Sequence, residues 1–382
     1  TPRLARSLFT EKFSMLELII SSLICQISNP TFGIGLRFSG YGFDFGYTYG
    51  ETGHPLTNTM RFSLNMEFWY IYLMPILIIS IRSLILLCLL SSSIKTEIIG
   101  DIRICALRVS FKNDSLQSTT GDGSFLEENL GIDCGAYTID PPPHDKSYFQ
   151  SQLLAVNNYF SSVSYGNLNI NIDESTVFPT GKEDSFILPH KMNYYNPYDS
   201  TEIQERLLTS LFFDALSIAD SSGVNFENYD LIVVFHAGIG QDFSLPFLDP
   251  TPEDIPSTFI DQRMIEKYYN VPSFEFRNSQ VSKGILLPES QNHLLYDIAE
   301  SMFSDANEPC EYQYGLTGTF ALMIGFAMGL PPMWNIETGE SGIGVFGLMD
   351  QGSNNGRGVI PAPPNAWTRI YSGWEVPFTT EY

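Results

Sequence analysis

Residues 316–332, Leu-Thr-Gly-Thr-Phe-Ala-Leu-Met-Ile-Gly-Phe-Ala-Met-Gly-Leu-Pro-Pro, constrain the fold of this chain more than any other stretch. Across 320–328 the run is apolar on every side. A helix of this kind has no face to give to water and must be enclosed by other layers of the molecule. Gly325 sits inside the run, and Gly329-Leu330-Pro331 is suited to turn the chain out of a helix. Further on, Ser341-Gly-Ile-Gly-Val-Phe-Gly-Leu-Met-Asp-Gln-Gly-Ser353 brings Met349 into a glycine-rich segment. Pro363-Pro364-Asn365-Ala366-Trp367 and Gly373-Trp374 follow. One reading of the run is simply a core helix.

With these flanks the chain resembles the immune inhibitor A family of metzincin-like metallopeptidases. In that family the helix carries His-Glu-x-x-His, then x-x-Gly-x-x and a third ligand, commonly Asp. Alignment on Gly325 and Gly329-Leu330-Pro331 sets Leu322 and Phe326 at the two histidine positions. Met323 then stands at the glutamate position, Pro332 at the third ligand, and Met349 where a methionine turn would lie beneath the metal. The resemblance covers roughly 99–375. It implies an α+β, zincin-like peptidase domain with a mixed sheet, an active-site-type helix and a Met-turn. The cofactor it implies is zinc, and all four motif positions are substituted.

Zinc takes lone pairs from imidazole, thiolate or carboxylate, three from protein with a fourth position open for water. Leu322 and Phe326 are one helical turn apart on one face, and neither can donate to a metal. Met323 cannot take a proton from water, a role worth roughly a hundredfold to ten-thousandfold in rate. Of the five histidines, His54, His144, His190, His236 and His293, no two have ligand spacing. His236 is read as a hydrogen-bonded residue at a strand end. Glu289 and Asp350 are the acids nominated near the cleft, each without an identifiable partner. No Gly-x-Ser-x-Gly elbow is present. The favoured reading is an exported, non-catalytic binding or scaffold domain, its cleft apolar where a metal would sit and suited to a peptide or protein segment. The alternative is an active secreted metallopeptidase, carrying out proteolysis through an unrecognised metal site.

Composition narrows the partners. Forty-three acidic residues against 20 Lys and Arg leave a net charge of −23, which argues against nucleic acid. It suits a self-repelling surface outside the cytoplasm. The segment 241–256 carries Asp242, Asp249, Glu253 and Asp254, with Asp261 soon after. Clustered oxygens on a proline-stiffened loop are candidate calcium ligands, with Asp242, Asp249 and Asp254 foremost, although the spacing matches no EF-hand. A solvated acidic loop is the plainer alternative. Five cysteines are too few for a disulfide scaffold. Cys105 reads as a buried thiol in a core strand. Cys134 and Cys310 lie in polar, loop-like sequence and are candidates for a pair, while Cys25 and Cys88 fall in apolar runs.

The first hundred residues read differently from the rest. Phe43, Phe45, Tyr47 and Tyr49 alternate with Gly42, Asp44, Gly46 and Thr48. Met60, Phe62, Leu64, Met66 and Phe68 alternate with Arg61, Ser63, Asn65 and Glu67. Apolar-out, polar-in alternation suits a membrane barrel strand. Residues 1–68 thus resemble the C-terminal tail of an outer-membrane β-barrel protein, an ordinary amphipathic hairpin being the alternative. This segment is expected to lie outside the mature protein. Residues 69–98 follow as a signal peptide or membrane anchor, with Arg82 ahead of an apolar stretch and Ser91-Ser92-Ser93 as small residues for cleavage. Membrane contact is expected only through 68–90, if that run is retained, and the location is secreted, periplasmic or cell envelope.

From residue 99 a metallopeptidase-like domain is expected to run to 382. Residues 101–111 predict a first strand, followed by a polar loop with Gly121-Asp122-Gly123. Ser147-x-x-Gln150 and Thr201-x-x-Gln204 read as capping boxes opening two helices. The second carries Leu207, Leu208, Leu211, Phe212, Ala215, Leu216 and Ala219 at helical spacing. Leu168, Ile170 and Ile172 predict an alternating strand, and 229–236 a buried one.

Overall fold

The computed structural model describes residues 31–38, 41–48, 59–66, 98–243, 249–298, 303 and 307–378. The chain divides into two compact units, Thr1–Ser93 and Ile94–Tyr382. The apolar run 68–90, Phe68, Cys25 and Cys88 lie outside the described residues. Among the described residues no helix is long and apolar enough to cross a membrane.

The first unit contains an antiparallel meander of β1 (Thr31–Phe38), β2 (Tyr41–Thr48) and β3 (Thr59–Met66). Its register aligns Ile34 with Phe45 and Phe45 with Phe62, while Asp44 lies between Gly35 and Ser63. The period-two pattern is therefore kept in phase across all three strands.

The second unit is α+β with a mixed sheet. Its strands are β4 (Gly100–Ile102), β5 (Ile104–Ser110), β6 (Leu168–Ile170), β7 (Thr176–Phe178), β8 (Phe186–Ile187), β9 (Leu231–Ile239), β10 (Thr258–Ile260), β11 (Phe274–Phe276), β12 (Ser279–Val281) and β13 (Gly284–Ser290). The main sheet runs β10-β13-β9-β5-β7, with β8 continuing the pairing of β5. β13, β9, β5, β7 and β8 are parallel to one another, and β10 closes one edge antiparallel to β13. β4 pairs with β6, and β11 with β12.

The helices are α1 (Lys146–Val163), α2 (Met192–Tyr195), α3 (Thr201–Ser221), α4 (Gln262–Tyr269), α5 (Leu316–Ala327) and α6 (Ala366–Tyr371). Strand alternation sorts the core into two layers. Cys105, Leu107, Ile232, Val234 and Leu286 pack with Leu211, Phe212 and Ala215 of α3. Ile104, Ala106, Val233, Phe235, Ile285 and Leu287 pack with Phe149, Val156 and Phe160 of α1 and Phe320 and Ile324 of α5. Both faces of the sheet are thus covered.

Several boundaries correct the sequence reading. The first strand is interrupted at Arg103, whose guanidinium pairs with Asp230 at 3.0 Å. The alternating strand stops at Ile170, and the buried strand runs on to Ile239. Neither capping box forms. Asp145 is the cap of α1, its carboxylate accepting from the Ser147 and Tyr148 amides at 2.8 and 3.1 Å. Helix α3 has no side-chain cap, and the Gln204 side chain donates instead to Asn196.

Helix α5 is also capped from a distance. Gly315 has no side chain to offer, and the Leu316 N–H donates to Asp140 Oδ2 at 2.7 Å. At the far end Gly329 adopts a φ of +88°, and the Leu330 amide returns to the Gly325 carbonyl at 2.9 Å. Lys283 Nζ takes the Ala327 carbonyl at 2.6 Å, a cation at the negative end of the helix. The chain closes on itself through Trp374, whose indole N–H donates to the Ile98 carbonyl at 2.6 Å.

Candidate functional site

Helix α5 presents Met323 and Phe326 to a cleft of about 480 Å³. The opposite wall is the edge strand β10, with Thr258 and Phe259, preceded by Ser257, and beyond it Arg263, Met264 and Lys267 of α4. The site exists because β10 is the last strand of the sheet while α5 packs across the sheet face beside it. Phe326 stands edge-on to Trp334, with ring centroids 5.5 Å apart. The floor is therefore hydrocarbon and thioether.

The cleft's charges are already paired. Lys267 lies 3.0 Å from Glu205, and the Tyr268 hydroxyl donates to the same carboxylate at 2.7 Å. These two donors, Tyr268 foremost, hold the Glu205 carboxyl below its usual value. Arg263 pairs with Asp261 at 2.6 Å.

Of the four residues that the resemblance aligns with a zinc motif, Met323 and Phe326 line this cleft, whereas Leu322 and Pro332 do not. Leu322 is half-buried against the core around α1 and α5. None of the four side chains carries a donor suited to zinc, so the residues present do not fit the metal. Met349 is buried beneath the helix. A Cβ at Gly325 would stand 2.6 Å from its Sδ, so glycine is what lets the helix and this methionine approach.

The nominated acids are both fully engaged. Asp350 Oδ2 accepts from Ser341 Oγ and from the amides of Gly342, Ile343 and Gly344 at 2.8–2.9 Å. Oδ1 accepts from the Gln351 amide. Burial pushes this carboxyl up, but the donors outweigh it and hold it below its usual range. Asp350 thus organises the glycine-rich segment around Met349.

Glu289 is wholly buried at the end of β13. Oε1 accepts from the Gly238 amide at 2.6 Å and the Tyr296 hydroxyl at 2.8 Å. Oε2 accepts from the Leu126 amide at 2.8 Å and from His144 Nδ1 at 2.6 Å. His144 Nε2 meets the Asp140 carbonyl at 2.9 Å. Burial opposes both charges, yet the mutual hydrogen bond and attraction win, lowering the Glu289 pKa and raising that of His144. The pair is ionic and saturated, and neither member reaches the cleft. No local sequence signal marks it, because 145 residues separate its members.

The candidate calcium oxygens do not converge. Asp242 accepts from the Ser257 amide at 2.9 Å and from Gln291. Asp249 accepts from the Thr251 amide at 2.9 Å. Asp254 is buried and accepts from the Thr120 amide at 2.7 Å and its hydroxyl. Among the described residues no group of three or more His, Cys, Asp or Glu is placed to hold a metal ion.

His236 lies inside β9 rather than at its end. Its Nδ1 hydrogen-bonds the Ala237 carbonyl at 2.9 Å, and burial pushes its pKa down to about 4. Cys105 is a buried free thiol, and Cys134 and Cys310 form a disulfide. No protein-family model, curated protein or solved structure matches this chain.

Proposed function

We propose that the second unit is a zincin-like domain of immune inhibitor A type that holds a peptide segment without cutting it. The observation that carries this reading is the cleft floor, where Met323 and Phe326 stand at the glutamate and second histidine positions of the resemblance. A pocket of thioether and aromatic groups beside a strand edge suits an extended segment. Backbone groups would pair along β10, and a bulky apolar side chain would rest on Met323 and Phe326. Export to the cell envelope or beyond is part of the same proposal and rests on residues 69–98 and on the acidic composition.

The test is an array of immobilised peptides varying only in the bulk of one central side chain, probed with the full chain and with Phe326→Ser. Retention should favour large apolar centres, and Phe326→Ser should erase that preference. Identical selection by the two proteins would remove the cleft from the account. Metal analysis and turnover of fluorescent casein address the chemistry. Stoichiometric zinc with chelator-sensitive cleavage would replace this reading by that of an active peptidase.

A further inference from the structure

A second groove, of about 1200 Å³, opens at the end of the sheet where the segments after β5, β9 and β13 emerge. Leu116 and Leu130 lie in it, 37% and 52% exposed, beside Phe125. Glu127, Glu128 and Asp297 line it as well, all three exposed, and none forms an ion pair with another of the described residues. No Lys or Arg is among the described residues that line it. The groove therefore offers apolar surface bordered by uncompensated negative charge. Asp230, Glu205 and Asp261 of the same unit, by contrast, have cationic partners.

Its walls are fastened to one another. The Leu130 and Gly131 amides donate to the Leu295 carbonyl at 3.0 and 3.1 Å, and the Ile132 amide to Leu294 at 2.8 Å. The Glu253 amide donates to the Ser118 carbonyl at 2.9 Å, and Asp254 holds Thr120. Gly131 passes so close to the Tyr296 carbonyl that a Cβ would stand 2.3 Å from its oxygen. A groove tied in this way loses little conformational freedom when filled, which favours binding.

From this charge complementarity we infer that the groove docks a cationic amphipathic peptide segment of a partner protein, with leucine-like side chains against Leu116, Leu130 and Phe125 and lysine-like ends toward Glu127, Glu128 and Asp297. The inference is independent of the cleft at Met323 and Phe326. Opposite charges at the rim speed association and select the partner, and apolar contact at the floor holds it.

The experiment uses the full chain and two fluorescein-labelled dodecapeptides, one a Lys-Leu repeat and one a Glu-Leu repeat. The Lys-Leu peptide should bind, and the Glu-Leu peptide should not. Replacing Glu127→Gln, Glu128→Gln and Asp297→Asn together should weaken Lys-Leu binding by about tenfold or more. The control removes the same charge elsewhere, through Asp173→Asn, Glu337→Gln and Glu340→Gln, and should change affinity by less than about twofold. Leu130→Ser should weaken binding while leaving the salt dependence intact. All these positions are exposed, and thermal melts of each variant verify folding. Absence of Lys-Leu binding would overturn the inference. So would equal losses in the rim and control variants, since attraction would then belong to the overall negative charge.

Discussion

Asp254 illustrates how little a residue's type says about its use. In sequence it is one of several oxygens on an acidic, proline-rich segment. In the fold it fastens that segment to Thr120, with Asn196 Nδ2 donating to its carbonyl at 2.6 Å. Burial raises its pKa to about 7, and the Asp249 charge adds to the rise, while hydrogen bonds from Thr120 and Thr251 act against it. Its unfolded value is about 3.9. The folded state therefore binds the proton more tightly, so the contribution is fully favourable below about pH 4 and is lost as pH rises toward 7. Asp254→Asn cannot ionise, and its advantage over the parent should grow from about pH 5 to pH 8. Urea midpoints at the two pH values measure this. A parallel response of both proteins would show that Asp254 does not titrate across this range.

Among the elements, α5 was the most legible, because its apolar circumference required enclosure and its exit signal at Gly329 was local. Its start was not legible, since the cap comes from Asp140, far away in sequence. The contact of Gly325 with Met349 gives this scale its prediction. Alanine would favour the helix by about 1 kcal/mol over glycine. The added Cβ meets Met349 Sδ at 2.6 Å in a closed core, and overpacking of this kind costs about 1–3 kcal/mol. Gly325→Ala should therefore destabilise the parent but be neutral or stabilising beside Met349→Ala. A double-mutant cycle by chemical denaturation measures the coupling. Strict additivity would mean that glycine is there for another reason. The same logic explains why the alternation of Leu168 and Ile170 gives two buried positions around a half-buried Asn169, whereas both capping boxes failed. Alternation is a property of the chain itself, but a cap depends on which acceptor reaches the free amides first.

At the scale of the whole molecule, Glu289 joins β13 to the end of β9, the segments around Leu126 and Tyr296, and His144 just ahead of α1. Through Asp140 the same cluster reaches the first amide of α5. Glu289→Gln keeps the shape but leaves His144 without its counter-charge, and breaking a buried pair in this way costs about 3–5 kcal/mol. Guanidinium denaturation near neutral pH should show that loss, and a change within about 0.5 kcal/mol would reduce the cluster to an ordinary surface-like contact.

Sequence by itself determined the α+β class, the first strand, the two long helices, the buried strand near His236 and the all-apolar helix. Each of these follows from side-chain type and from spacing along one element. Only the tertiary structure decided that Met323 and Phe326 face a cleft while Leu322 does not, that Glu289 and Asp350 are saturated, and that exposed carboxylates gather beside Leu116 and Leu130. Those facts depend on which distant segments meet. Hydrogen bonding and charge pairing act at contact distance, and the separation along the chain carries no record of it.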